Sequence, residues 1–250
     1  MTKKKINKFR EPNKLTPVNY GAIEQNLYAL ILRQISISVW AEKKQNTFFS
    51  NKEITLSIDE LLFWFNCSKS NLANNVAPAA KSMVSKSLIY NDGVNDYEIK
   101  FLDSVEYYSN SGLYIKVNAN AIGIIKEDIP KDYSEIDITH YFKLKGKYSR
   151  RLLKIISQWK SIHNKVITLE LDEYRKILGV PENRYHRTES FIKNCISQPM
   201  LDVISCSSGE WTAFDDEKKG YELHRKGRSF SSIKIMLNKD ASEEKNDLPF

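Results

Sequence analysis

The chain has 250 residues, 38 Lys plus Arg against 31 Asp plus Glu, and a formal net charge of +7. That length is enough for one large domain or two smaller ones with a core that needs no staples, and nine Gly with seven Pro exclude a collagen-like or low-complexity chain. No run approaches the roughly 18 apolar residues of a membrane span, no apolar core follows the basic start MTKKKINKFREPNK as a secretory signal requires, and three Cys without a CxxC (Cys67, Cys195, Cys206) read as reduced thiols of a cytoplasmic protein.

Residues 1–14 carry six basic side chains and one acid, so 1–18 is expected to be a flexible basic arm. Leu27, Leu30, Ile31, Ile35 and Val39 recur at helical spacing. A β-rich run follows at 53–56. Ser57, with Glu60 three residues on, predicts a capping box at the start of a short helix. A longer helix is expected over 74–88, starting late or kinking at Pro78. Strands are expected at 97–102 and 112–117, with a further one over 121–125. The stretch 126–138 holds two bases and five acids and reads as a linker.

The second half runs through the same order. Tyr148, Leu152, Ile155, Ile156 and Trp159 mark a helix, and 165–169 is β-rich. The short helix after it ends where Gly179 accepts the left-handed conformation, and Pro181 bars continuation. A helix over 187–204 contains Pro199. Strands are expected at 210–214, 220–224 and 231–237, with Lys218-Lys219-Gly220 and Lys226-Gly227-Arg228 as turns. The tail 239–250 holds two bases and four acids.

Two short matches support a weak internal repeat. Leu56 to Leu61 (LSIDEL) resembles Leu169 to Tyr174 (LELDEY) at a spacing of 113, and Lys81 to Lys86 (KSMVSK) resembles Lys193 to Gln198 (KNCISQ) at 112. Helix, short strand, helix, helix, hairpin is the order of a winged helix. The predicted fold is therefore α+β, with two tandem winged-helix domains related by a pseudo-two-fold internal repeat. The expected domains are 19–125 and 139–238, joined by the linker 126–138 and followed by the tail.

The positive charge is clustered: residues 141–151 hold five bases and no acid, and 218–234 hold six and one. Clusters of this kind suit a polyanion, most commonly nucleic acid. In the second copy Phe191, Ile192, Cys195 and Ile196 form a stripe expected in the core. The other face carries Arg187, Ser190, Lys193 and Asn194, preceded by Tyr185 and His186. Arg and Lys suit guanine O6 and N7, and Asn suits adenine N6 and N7; any of them can instead touch phosphate, or simply be solvated. Lys218, Lys219, Arg225, Lys226 and Arg228 are the wing candidates, against an ordinary soluble hairpin. Arg150 in the basic run and Lys69, Asn74 and Lys81 in the first copy complete the candidate DNA-binding set.

YSRRLLKIISQW, ITLELDEYRKILGV, YHRTESFIKNCISQPMLDVI, the KGRS turn and the strand SSIKIML together resemble the Rep/RepB-type initiator proteins of theta-replicating bacterial plasmids. The resemblance covers most of 20–238 and is strongest from Tyr148 to Leu237. It implies binding of direct origin repeats (iterons) as a monomer, autorepression at a promoter inverted repeat as a dimer, and contacts with the host initiator and the replicative helicase. It also implies that the domain 19–125 serves dimerisation and DNA-backbone contacts and the domain 139–238 reads the major groove, that 187–196 is the main reader, and that the Lys226-Gly227-Arg228 turn belongs to the final hairpin.

Little in the sequence supports catalysis, so no enzyme, cofactor or metal is expected. There is no GxGxxG, GxxxxGK[ST] or HExxH, and His140, His163, His186 and His224 are isolated from one another. Asp215-Asp216 is expected to be an exposed turn and Cys195 inert core. The alternatives are a winged-helix transcriptional repressor without an origin role, and an adaptor that uses winged helices for protein contacts.

Overall fold

The computed structural model describes residues 8–17, 19–45, 52–128, 133–158, 166–215 and 217–239. The start 1–7, the linker residues 129–132, Trp159, His163, Asp216 and the tail from 240 lie outside them. Two compact units divide within one helix, as Met1–Phe142 and Lys143–Phe250. No described helix is long and apolar enough to cross a membrane.

In the first unit, strands β1 (Lys8–Pro12) and β2 (Leu15–Pro17) precede helix α1 (Ala22–Gln45), strand β3 (Glu53–Ser57) and helix α2 (Ile58–Phe65). Leu27, Leu30, Ile31 and Ile35 of α1 are buried against a core that includes Leu56, Leu61 and Leu72. Ser57 caps α2, its hydroxyl accepting the Glu60 amide at 3.2 Å. The Glu60 carboxylate accepts from Arg33 at 3.1 Å and Gln34 at 3.3 Å, so it ties α1 to α2.

The next helix starts earlier than the sequence predicts. Ser68 caps it, and it runs as α3 (Lys69–Asn71), a wide π turn over Leu72–Val76, α4 (Ala77–Ser82) and a 3₁₀ turn. Pro78 neither delays nor breaks it. The Ala77 amide reaches back five residues to the Leu72 carbonyl, and this widened turn relieves the ring clash and the missing donor that proline brings. Strands β4 (Ser87–Asn91) and β5 (Asp96–Lys100) form a hairpin on β2, and β6 (Leu102–Tyr108) and β7 (Gly112–Val117) form one on β3. The expected strand over 121–125 is helical, within α5 (Ala119–Asp128). Ala121, Ile122 and Ile125 are buried at helical spacing, and the Asn118 carboxamide accepts the Asn120 amide at its start.

The expected linker and the expected flexible arm pair with each other. β8 (Tyr133–Asp137) lies antiparallel to β1, with Arg10 opposite Glu135. Glu135 accepts from Lys8 at 3.2 Å and from Arg10 at 3.1 Å, and the Arg10 guanidinium lies 4.4 Å from the Tyr133 ring centroid. Phe9 and Ile136 are buried beneath. Net charge alone cannot separate a linker from a strand whose acids meet bases far away in sequence. Helix α6 (Ile138–Lys143) then leads out of the unit.

Glu24 anchors the start of α1. It is 5% exposed and accepts from Lys86 Nζ at 2.6 Å, from the Gly21 amide at 2.6 Å and from the Ser82 hydroxyl. Burial pushes its carboxyl up, but these donors outweigh burial and hold it below the ordinary carboxylate range. A lowered folded value means stability that is present above the unfolded pKa of about 4.3 and is lost as pH falls through the folded value. Glu24→Gln is expected to cost about 1.5–3 kcal/mol at neutral pH. The deficit should shrink as acid protonates the wild-type carboxyl. Urea titrations of both chains from pH 7 downward check this; a deficit independent of pH refutes it.

The second unit repeats the plan with α7 (Lys147–Gln158), β9 (Ile167–Glu170), α8 (Leu171–Ile177), α9 (Thr188–Phe191), a π turn over Ile192–Ser197 and α10 (Gln198–Cys206). Strands β10 (Trp211–Ala213), β11 (Tyr221–Lys226), β12 (Ser229–Ile235) and β13 (Leu237–Lys239) follow. β12 lies between β11 and β9, as β7 lies between β6 and β3 in the first unit. The π turn recurs one turn before Pro199, where the Gln198 amide reaches the Lys193 carbonyl. Gly179, at φ +57, ends α8 with the Gly179 amide on Lys176 and the Val180 amide on Arg175, satisfying two of the last carbonyls.

Of the two sequence matches only the first is structural. Ser57 and Glu170 are equivalent N-caps, at a spacing of 113. The second match is out of register: Lys81 lies beyond Pro78 on α4, whereas Lys193 lies before Pro199 in the π turn. Leu72 and Ile192 open the two π turns, 120 apart. The difference is a longer α8–α9 turn, which carries Gly179, Pro181, Arg184 and Tyr185.

Candidate nucleic-acid interface

The element expected to carry the reading residues is the helix 188–206 of the second unit. Phe191, Cys195, Ile196, Met200 and Val203 are buried, whereas Ile192 of the expected stripe is half-buried, and the Tyr174 hydroxyl donates to the Cys195 carbonyl at 3.0 Å. Burial pushes the Cys195 thiol up to about 11, so it is packed and unreactive. With that face committed inward, His186, Arg187, Lys193 and Asn194 are exposed, and Tyr185 and Ser190 are half-buried. Arg187 is the N-cap residue with an extended backbone and makes no side-chain cap bond. Its guanidinium therefore projects beside the helix start.

Asn194 is more constrained than its residue type suggests. Its Nδ2 donates to the Ser190 carbonyl at 2.8 Å. A carbonyl only accepts, so Oδ1 is the atom turned outward. That bond commits one Nδ2 hydrogen and restricts the rotation of the amide, while the second hydrogen and Oδ1 are left for other partners. In the first unit Asn74 donates in the same way to Ser70 Oγ at 3.3 Å, and Lys69, Asn74 and Lys81 are exposed.

The wing is the β11–β12 hairpin. Lys226 pairs with Ser229, leaving Gly227-Arg228 as a two-residue turn, and Gly227 takes φ +68 at its first central position. Arg225, Lys226 and Arg228 are exposed, and the Arg225 guanidinium lies 4.3 Å from the centroid of the Phe230 ring opposite it, which restricts its freedom.

Two groups of sequence candidates do not join this surface. Lys218 and Lys219 are exposed, but they sit at the opposite end of β11 from Gly227, about 20 Å away along a six-residue strand. Asp215 organises their turn, accepting the Lys219 amide at 2.8 Å and the Gly220 amide at 2.5 Å, and Lys219 is ion-paired with Glu217. Arg150 is 4% exposed and directs its guanidinium toward the Lys145 carbonyl. α7 is buried on all sides except one stripe of half-buried Lys147, Arg151, Lys154 and Gln158. A count of basic residues in the run 141–151 cannot tell that stripe from the buried positions.

Four basic residues missed in the sequence gather near the α8–α9 turn. Arg151 Nη1 donates to the Leu178 carbonyl and packs against Gly179, where any Cβ would meet it. Arg175 donates to the Pro181 carbonyl at 3.4 Å and to that of Arg184, and lies 4.9 Å from the Phe191 ring centroid. Lys147 Nζ lies 4.8 Å from the Tyr148 ring centroid. The i, i+4 spacing of Lys147 and Arg151 was the available signal; the turn they meet was not visible.

A family model described as Initiator Replication protein, WH1, matches residues 8–157, more than half of the chain. No curated protein matches it. Among solved structures, the chain is similar to the Pi initiator protein, determined in complex with iteron DNA, with a TM-score of 0.69 at 13% identity over 94% of this chain and 98% of that one. That likeness confirms the α+β fold of two winged helices. With this fold, and with a family match from the start of β1 into α7, the chain belongs to the initiator replication proteins, the family of Rep-type plasmid replication initiators.

Proposed function

We propose that this chain is a sequence-specific double-stranded DNA-binding protein that initiates plasmid replication at directly repeated origin sites. It binds those repeats as a monomer and represses its own promoter as a dimer on an inverted repeat. Host initiator protein and replicative helicase are the partners it recruits. It acts in the bacterial cytoplasm, by binding and deforming DNA rather than by catalysis, with no metal or cofactor of its own. The observation that carries the DNA reading is the outward set of Arg187, Lys193 and Asn194 on the recognition helix, in the same unit as a cationic two-residue wing turn. A helix in the major groove with a basic hairpin on the phosphates is how winged helices engage duplex DNA. Membership of the initiator family favours this over a repressor without an origin role.

Footprinting on the DNA around its own coding sequence tests the proposal: protection of direct repeats is expected, and protection of a promoter alone supports the repressor. Sedimentation with and without repeat DNA tests the monomer–dimer reading, which a single mass throughout overturns. Lys226→Ala with Arg228→Ala is expected to reduce the slope of log affinity against log salt by about 2, one contact each. An unchanged slope takes the wing off the DNA.

A further inference from the structure

The α8–α9 turn carries a feature that recognition of bases does not use. Tyr148, at the start of α7, is 6% exposed, and its hydroxyl is buried without a hydrogen-bond partner among the described residues. A buried donor with nothing to bond costs stability. Lys147 Nζ lies 4.8 Å from the Tyr148 ring centroid, and the charges of Arg184, in the turn with Tyr185, and of Arg151, one turn on from Lys147, act on the phenol. The half-exposed Tyr185 ring is edge-on to Tyr148 with centroids 6.1 Å apart, on a backbone held at φ +56.

We propose that Lys147, Arg151 and Arg184, gathered around Tyr148, form a seat for one backbone phosphate of the duplex, with the Tyr185 ring as its edge. This rests on the DNA-binding reading above and adds the site that sets the register of the recognition helix. The chemistry matches a phosphodiester. An ammonium supplies a point charge, a guanidinium supplies a fork, and a phenol supplies one further donor. The cations crowd one another: burial, then the charges of Arg151 and Arg184, depress the Lys147 ammonium. Burial pushes the Tyr148 phenol up to about 12, so it remains a donor at neutral pH. An arriving phosphate relieves the repulsion and satisfies the orphan hydroxyl together. The seat lies on the turn that feeds Arg187 into the reading helix, so a phosphate fixed there positions that helix along the groove.

The test uses the full chain and a duplex that the wild type selects from a random library. Tyr148→Phe removes an unpartnered donor, so it is expected to raise the melting temperature by about 2–4 °C while weakening DNA binding by about three- to tenfold. A purely structural tyrosine cannot produce that opposition; a lower melting temperature with unchanged binding overturns the proposal. Lys147→Met with Arg184→Met is expected to flatten the salt slope by about 2. Single neutral methylphosphonates are then scanned along both strands. One position is expected at which the substitution weakens wild-type binding but not that of either variant. If no such position exists, or if inorganic phosphate raises the melting temperature while the scan shows no coupling, the seat is not a DNA site. If the wild type selects no duplex at all, the proposed function itself fails.

Discussion

Gly112→Ala is expected to destabilise the first unit by about 4 kcal/mol or more, enough to abolish cooperative unfolding of that unit at ambient temperature. Gly112 opens β7, paired with both Ser57 of β3 and Tyr108 of β6. Its φ is +122, a region that L side chains avoid, and holding alanine there costs about 1–3 kcal/mol. A Cβ would also meet the Leu56 carbonyl oxygen and lie 2.9 Å from the Ile58 amide nitrogen. Both belong to backbone at the β3–α2 junction, where the Ile58 amide donates to the Ser111 carbonyl at 3.1 Å. Backbone cannot rotate away as a side-chain tip does, so the clash either opens the sheet or shifts the capped start of α2. Gly227→Ala is the control: it also has a positive φ, but nothing lies within 4 Å of its added carbon. Its cost should stay near about 1 kcal/mol. Urea unfolding followed by tryptophan fluorescence measures both, and equal losses would refute the contact argument.

Removing the two outward cations of the helix 188–206 together is expected to have the largest effect on binding. Arg187→Ala and Lys193→Ala should each weaken binding to the preferred sequence by about 1–3 kcal/mol if the side chain reaches a base edge. The structure gives reason to expect folding to survive. Both side chains are exposed, Arg187 makes no side-chain cap bond, and the stripe Phe191, Cys195 and Ile196 that holds the helix is untouched. Competition against random duplex separates the two kinds of contact. A loss confined to the preferred sequence assigns the residue to a base; an equal loss on all sequences assigns it to phosphate. The Arg150→Ala variant should do neither. Its guanidinium is buried inside the second unit, so its effect belongs in a stability measurement.

The double winged-helix order was legible because each element announces itself locally. Leu27, Leu30, Ile31 and Ile35 carry the helical period, Ser57 carries a cap, and Gly179 carries a stop, and all three act over a few residues. Helix 69–85 starts earlier than the expected 74 because Ser68 caps it and a π turn absorbs Pro78, and that turn shows only in the hydrogen bonds. The exposed face of the helix 188–206 was legible for the same reason as its core stripe: on a helix, fixing one face fixes the other.

Composition and periodicity thus determined by themselves the class of fold, the duplicated plan and most of the inward face of the helix 188–206. Only tertiary structure decided which charges are available. It joined the basic start to the acidic stretch as β1 and β8 with Arg10 against Glu135, buried Arg150, set Lys218 and Lys219 at the far end of β11, and brought Arg151 and Arg175 onto the α8–α9 turn. The reason is that backbone preferences act over a few residues, whereas an ionic side chain is free or spent according to what lies opposite it, and that neighbour can be more than a hundred residues away in the chain.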